Sequence, residues 1–113
     1  MRDYIPVNKE LIPYNFNILL GSTLFNLKIN YNKRKDLFTV DVLRENEVIC
    51  YGEPIVYGLP LFQDIFMVEK YPCLNIIPLD LSGNTNKVTY DNFYNTVFLY
   101  IDNEGNSLME GGN

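Results

Sequence analysis

The side chains that could do acid–base chemistry in this sequence are carboxylates, with no histidine to accompany them. The 113 residues include 14 Asp and Glu and no His, so a His-based catalytic triad and His metal ligands are both excluded. A glycosidase would instead need two carboxylates that converge on one bond. The candidates are Asp41, Glu53, Asp64 and Glu69. Their positions show no sign of convergence, so we interpret them as solvated charges and predict a protein that is not an enzyme.

Two isolated cysteines, Cys50 and Cys73, are the remaining reactive side chains. They are not in the CxxC spacing of a metal site, and no His accompanies them, so the sequence predicts no metal and no cofactor. We expect two reduced thiols in or near the core; a disulfide is the alternative.

The net charge of −5 argues against binding to nucleic acid, which requires a basic surface. One basic cluster, Lys33-Arg34-Lys35, is either a solvated turn or a contact for an acidic partner surface. No apolar run reaches the roughly 18 residues of a membrane span, and we expect no signal peptide. The sequence therefore predicts no nucleic-acid partner and no membrane partner. Without a catalytic constellation, it also predicts no small-molecule substrate.

Polar and apolar residues alternate along three segments, as in half-buried β-strands. The segments are 14–20, 23–31 and 37–44. Pairing Tyr31 with Phe38 across the basic turn aligns the apolar faces of the last two segments. The same register pairs Ile29 with Val40 and Leu27 with Val42.

A further strand is expected beyond an acidic turn at Glu45-Asn46. If Arg44 opposes Glu47, then Val42 faces Ile49 and Val40 faces Tyr51. One face would then stay apolar across a three-strand meander, with the strand at 37–44 in the middle.

From Gly52 onward, glycines and prolines interrupt the chain every few residues. We read Gly52 and Gly58 as backbone positions with positive φ or a bulge. Only short strands fit between the interruptions, at 55–57, 65–68, 74–77 and 88–90. We then expect a helical turn at 91–94 capped by Asp91, and a central strand at 96–102 with two apolar faces.

These patterns predict an all-β fold: a small single-domain antiparallel barrel or sandwich. It is built on a three-strand meander at about 14–52, followed by a Pro/Gly-rich second half. One domain spans 1–113, with an N-terminal arm at 1–13 and a flexible C-terminal tail at 103–113. The residues expected to define the fold are Tyr31, Asn32, Phe38, Val40, Val42, Ile49, Gly52, Gly58, Pro60 and Leu61.

Aromatic residues are too numerous for one small core to hide together with the aliphatic residues. Because Tyr and Phe are enriched at protein interfaces, we expect some of them to lie in an interface; partly exposed tyrosines with their hydroxyls in water are the alternative. The candidate interface residues are Lys33, Arg34, Lys35, Tyr57, Phe62 and Phe66.

The segment from Asn30 to Phe62 resembles the small baseplate plug proteins of contractile-tailed phages. The matching positions are Tyr31-Asn32, Arg34, Phe38, Asp41, Glu45-Asn46, Gly52, Gly58 and Pro60-Leu61, and the strand 98–102 is similar to the family's end. Two positions depart from the family pattern: Phe38 stands where Trp is usual, and Glu45-Asn46 replaces Asp-Gly in the acidic turn.

The resemblance implies a non-enzymatic virion structural protein of a phage, a prophage or a phage-tail-like particle such as a bacteriocin. It would be made in the host bacterial cytoplasm and lie in the tail baseplate as a plug. Its partners would be the hub, the end of the tail tube and further copies of itself. A small carbohydrate-binding barrel and a phage-encoded inhibitor of a host protein are the alternatives.

Overall fold

The computed structural model of the protein describes residues 3–20, 23–62 and 75–102. Within these ranges the chain forms seven strands and a short 3-10 helix at Lys9–Leu11. The strands are β1 (Asp3–Tyr4), β2 (Tyr14–Leu20), β3 (Thr23–Asn32), β4 (Leu37–Arg44), β5 (Glu47–Pro54), β6 (Asn75–Leu79) and β7 (Phe98–Asp102). They pair as two antiparallel sheets, β2-β3-β4-β5 and β1-β7-β6, which confirms the all-β class.

Some expectations concern parts of the chain beyond the described residues. They are the strand at 65–68, the interface residue Phe66, the thiol of Cys73 and the tail at 103–113.

The hairpin of β3 and β4 has the register that the alternating pattern predicts. Tyr31 faces Phe38, and the pairs Ile29–Val40 and Leu27–Val42 follow. All of these side chains except Tyr31 are buried, because residues that face each other on one side of a pleated pair share the same surface.

The meander has four strands rather than three, because β2 pairs along its whole length with β3. Phe16 faces Leu27 and Ile18 faces Phe25. Leu27 and Phe25 are fully buried, whereas Phe16 and Ile18 on the outer strand are only half-buried.

The predicted register between β4 and β5 is right at the turn and wrong beyond it. Arg44 faces Glu47, and the turn residues Glu45 and Asn46 have φ values of 50° and 68°, the conformation of a tight type I′ turn. Two register shifts then follow, so Val42 faces Cys50 and Val40 faces Glu53.

A hydrogen bond from the backbone of β5 to a carboxylate of β4 accompanies these shifts. The N–H of Gly52 (φ 74°) donates to Oδ1 of Asp41 at 2.8 Å. Asp41 is only 7% exposed, so its expected solvation is wrong; a buried carboxylate requires a donor. The bulge also turns Tyr51 outward, to 81% exposure, away from the predicted apolar face.

The segment after β5 connects the two sheets and forms no strand at 55–57. The N–H of Ile55 donates to the Phe38 carbonyl on β4 at 2.9 Å. The N–H groups of Gly58 (φ 75°) and Leu61 donate to the carbonyls of Pro78 and Ile76 on β6, at 2.9 and 2.8 Å. Gly58 and Leu61 therefore hold one sheet against the other.

In the second sheet β7 is the central strand, as its two apolar faces predict. The residues at 88–90 form no strand, and β7 begins at Phe98 rather than at Thr96. The turn before it is closed by Thr89 and Asn92, each of which accepts the other's N–H through its side chain, at 3.2 and 2.9 Å. This pair replaces the predicted Asp91 cap.

The first described residues are hydrogen-bonded to β7. The N–H of Ile5, which is fully buried, donates to the Leu99 carbonyl at 2.9 Å. The hydroxyl of Tyr94 donates to the Ile5 carbonyl at 2.5 Å and accepts from the Leu99 N–H at 3.2 Å. Burial raises the pKa of the Tyr94 hydroxyl above its usual value.

Phe38 lies where the two halves of the fold meet. Its ring stacks on Phe93 with a centroid distance of 4.2 Å and also packs on Tyr31 at 4.6 Å. The buried cluster draws side chains from both sheets: Ile5, Phe25, Leu27, Ile29, Phe38, Val40, Val42, Ile55, Leu61, Phe62, Ile76, Phe93 and Leu99.

We predict that Phe38→Ala lowers the free energy of unfolding by about 3–5 kcal/mol, because a fully buried ring is replaced by a cavity. Chemical denaturation measures this. The exposed Tyr51→Ala is the control and should change stability by no more than about 0.5 kcal/mol. A loss below about 1 kcal/mol for Phe38→Ala would contradict the face assignment.

Candidate assembly surface

The outer face of β2 and β3 carries a ladder of asparagine side chains. The Asn15 amide donates to the Asn26 Oδ1 at 3.1 Å, and the Asn26 amide donates to the Asn17 Oδ1 at 3.0 Å. Asn15 and Asn17 are exposed and Asn26 is half-buried. These bonds hold the amides in place while leaving further donors and acceptors available to a partner.

Beside this ladder lies an exposed apolar pair. Leu19 and Leu24 face each other across β2 and β3 and are 63% and 57% exposed. The twisted sheet forms a shallow hollow next to them, with a volume of about 590 Å³ and Asn26, Leu43 and Arg44 among its lining residues. An apolar pair beside ordered amides has the composition of a protein interface.

This face is not among the sites predicted from the sequence. Asn alternates with apolar residues along 14–20. Such a pattern usually indicates only the solvated side of a strand, so by itself it does not identify an interface.

The basic cluster Lys33-Arg34-Lys35 is exposed at the tip of the β3–β4 hairpin. Side chains at both ends of this turn, Asn32 before the cluster and Asp36 after it, form hydrogen bonds that fix its shape. Asn32 Oδ1 accepts the Lys35 N–H at 3.2 Å, and Asp36 has a φ of 51°.

Asp36 also fixes this tip to the second half of the chain. Its Oδ1 accepts the Tyr31 hydroxyl at 2.6 Å and the backbone N–H of Tyr90 at 2.9 Å. The carboxylate favours the neutral phenol and raises the pKa of Tyr31 to about 12. The three cations are therefore presented by an anchored turn.

Of the aromatic residues expected at an interface, the two that the structure describes are buried or half-buried. Phe62 is 2% exposed, and its N–H donates to Glu53 Oε2 at 3.2 Å. Tyr57 is half-buried, and its hydroxyl accepts the Asp80 N–H at 3.0 Å. The Phe62 ring belongs to the buried core, and the Tyr57 hydroxyl bonds to the residue that follows β6. An interface role for either residue stays a prediction.

The other fold-defining residues take three kinds of position. Leu61 is buried, Ile49 and Pro60 are half-buried, and Asn32 is exposed and caps the basic turn.

A second concave surface, of about 820 Å³, lies between the N-terminal segment and β7. Tyr4, Tyr94 and Phe98 line it, with ring-centroid distances of 4.7 to 6.1 Å and interplanar angles of 41° to 70°. These rings pack on one another at steep angles, which differs from the parallel, open faces that stack on a sugar.

Four of the described carboxylates, those of Asp36, Asp41, Glu53 and Asp80, accept hydrogen bonds from within the molecule. Glu53 accepts from Phe62 and lies 3.8 Å from the Cys50 sulfur; burial, with Glu53 nearby, raises the pKa of the Cys50 thiol. Asp80 accepts the N–H and hydroxyl groups of Ser82 and Thr85, which lower its pKa. Asp64 and Glu69 lie outside the described residues.

Within the described ranges, no group of three or more Cys, Asp and Glu side chains is placed to hold a metal ion. In the same part of the chain, no helix is long and apolar enough to cross a membrane.

A comparison against protein families finds a match over most of the chain. The family model described as "Cyanophage baseplate Pam3 plug gp18" matches residues 2–104. The chain belongs to this family. Membership in the baseplate plug family indicates a structural role in a phage baseplate, an association with other baseplate proteins and a location in the virion tail. No curated protein matches the sequence.

The positions that carried the resemblance to the plug family prove to be supports of the fold. Asp41 and Gly52 bond to each other across β4 and β5, and Gly58 and Leu61 bond to β6. Phe38 fills a buried site and stacks on Phe93. The motif therefore marks how the plug is built rather than a chemical site.

We predict that Tyr31→Phe destabilises the protein at neutral pH, because Asp36 loses a donor. The sign with pH follows from the raised pKa: the contribution of Tyr31 is complete below pH 10 and is lost as the pH rises from 10 to about 12. The stability gap between wild type and Tyr31→Phe, measured by urea denaturation at a series of pH values, should narrow over that interval. A gap that stays constant from pH 9 to about 12 would contradict the Tyr31–Asp36 hydrogen bond.

Proposed function

We propose that the protein is a plug subunit that fills or seals the end of the tail tube at the centre of a phage baseplate. It acts through protein–protein contacts rather than catalysis. Its neighbours are the hub, the end of the tail tube and further copies of itself, and it is made in the host bacterial cytoplasm before assembly. The observation that carries this proposal is the family match over residues 2–104.

The surface supports an assembly role in two ways. The outer face of β2 and β3 combines the asparagine ladder with the exposed pair Leu19 and Leu24, which provides apolar area and directional polar groups together. The hairpin tip supplies a compact positive charge on a protein whose net charge is −5, which would orient it against an acidic neighbour.

The interior supports a rigid component. Core side chains come from both sheets, and the segment 55–61 is hydrogen-bonded to each of them. A subunit that blocks a tube must resist deformation, and close-packed β-structure does so.

The two alternatives draw less support from the described residues. A carbohydrate-binding module would present aromatic faces to a ligand, but the rings around Tyr4 pack on each other. An inhibitor that mimics nucleic acid would display its carboxylates together, yet Asp41, Glu53 and Asp80 turn theirs to internal donors.

Co-assembly tests the proposal directly. The purified protein is mixed with the products of the neighbouring tail genes, and the mass of any complex is measured by light scattering after size-exclusion chromatography. We expect a complex with a hub or tube-end protein. If the protein forms a complex with none of the baseplate proteins of the same particle, the proposal is wrong.

We predict that the basic tip steers this association. Arg34→Glu should slow complex formation several-fold at low salt, with a smaller effect at high salt, because rim charges act mainly on the association rate. Surface plasmon resonance against the immobilised partner measures it. Lys87→Glu, which reverses one exposed cation in another loop, is the matched control; equal effects of the two variants would place the electrostatic contact elsewhere.

A further inference from the structure

The described strands leave four sheet edges, and these edges differ in how they are protected. Edge strands expose unpaired backbone groups that act as templates for another strand. Soluble proteins protect such edges by short length, bulges, charges, prolines or cover from another segment. The four edges here are β1, β2, β5 and β6.

Three of the edges carry such protection. β1 has two residues. β6 is covered by the segment 58–61 through the hydrogen bonds of Gly58 and Leu61. β5 contains two register shifts, a glycine, a proline and two glutamates within Glu47–Pro54.

Among the described residues, β2 has none of these protective features. Its seven residues, YNFNILL, include no charge, proline or glycine, and its seven pairs with β3 run without a register shift. In the described part of the chain, no strand other than β3 pairs with it.

The register of the β2–β3 hairpin identifies which backbone groups face outward. Leu20 pairs with Thr23 across only two intervening residues, so that pair is hydrogen-bonded, and the bonded pairs alternate from there. Asn15, Asn17 and Leu19 consequently direct their N–H and C=O groups away from β3. These six groups form a regular row along the edge.

We propose that this row is a self-association edge, in which β2 of one copy pairs antiparallel with β2 of a second copy around a twofold axis at Asn17. The proposal rests on the plug function and specifies the contact between copies. It would join two four-stranded sheets into one continuous eight-stranded sheet.

The sequence of β2 is self-complementary in this register. Asn17 lies opposite Asn17 of the second copy, and Asn15 lies opposite Leu19 of the second copy, so all six outward groups find partners. On the inner face, Phe16 lies opposite Ile18 of the second copy. Both side chains are only half-buried in one chain, and the pairing would cover them with each other.

A second copy suits this edge better than an unrelated charged strand. Two identical strands approach without repulsion because β2 has no charged side chain. Twofold pairing also uses the same patch on both copies and closes, leaving no free β2 edge from which the assembly could grow.

The first test compares lysine variants on the two edges of the same sheet. Asn17→Lys places two like charges opposite each other at the proposed axis, and Val48→Lys adds the same charge at an exposed position on β5. Light scattering over a dilution series should show a dimer for wild type and Val48→Lys. Asn17→Lys should weaken dimerisation by about tenfold or more; circular dichroism checks that each variant is folded.

The second test is a disulfide cross-link, which traps the proposed dimer instead of weakening it. Opposed residues in an antiparallel pair have Cα atoms about 4.5–5.5 Å apart, within the range that a disulfide spans. Oxidised Asn17→Cys should run as a covalent dimer on a non-reducing gel. Wild type on the same gel reports any contribution from Cys50 or Cys73, and Val48→Cys is the matched control.

The outcomes separate this proposal from the plug function. A wild-type chain that stays monomeric at every concentration overturns the edge pairing, as does equal cross-linking of the two cysteine variants. If that monomer still binds a hub or tube-end protein, the plug function stands without the β2 contact. If Asn17→Lys impairs only the binding of such a protein, the edge pairs with that protein's strand, which also overturns self-association.

Discussion

The packing of the two sheets depends on strand β4, which lies between β3 and β5 and makes contacts through both of its faces and its backbone. Its inner face places Phe38 against Phe93. Its outer face directs Asp41 to the backbone of Gly52, and the carbonyl of Phe38 receives the N–H of Ile55 as the chain leaves the sheet. A single strand therefore sets the packing between sheets, the shape of β5 and the start of the connection between the sheets.

The buried carboxylate of Asp41 shows how a polar group can shape a sheet without any chemistry. A charge withdrawn from water needs a donor close by, and the Gly52 N–H provides it where the bulge turns β5. The positive φ at position 52 is readily available to glycine. Asp41 and Gly52 thus act together. They are 11 residues apart in sequence because they lie on two adjacent strands joined by a turn.

Sequence reasoning succeeded where structure is local and regular. The β3–β4 register followed from alternation alone, because a slip by one residue would have exposed every apolar side chain. The position of β7 followed from its two apolar faces. The β5 register could not be obtained this way, since its two shifts accompany a side-chain contact across strands, and periodicity does not encode such a contact.

The candidate site was less accessible from sequence than the fold. The basic tip was recognised from composition, but its anchoring depends on Tyr90, which is 54 residues from Asp36. Phe62 was predicted at an interface because it is aromatic, but its side chain is buried. Its backbone has a φ of 57° and bonds to Glu53. The asparagine ladder depends on the pairing of β2 with β3, which brings Asn26 between Asn15 and Asn17.

The bonds that tie the N-terminal segment to β7 also give the polypeptide a nearly circular path. Asp3 is paired with Ile101 and Tyr4 with Tyr100, so the first and last described strands depart from one small area of the surface. A force applied between residues 3 and 102, the two extremes of the described chain, would therefore load the β1–β7 pairing directly.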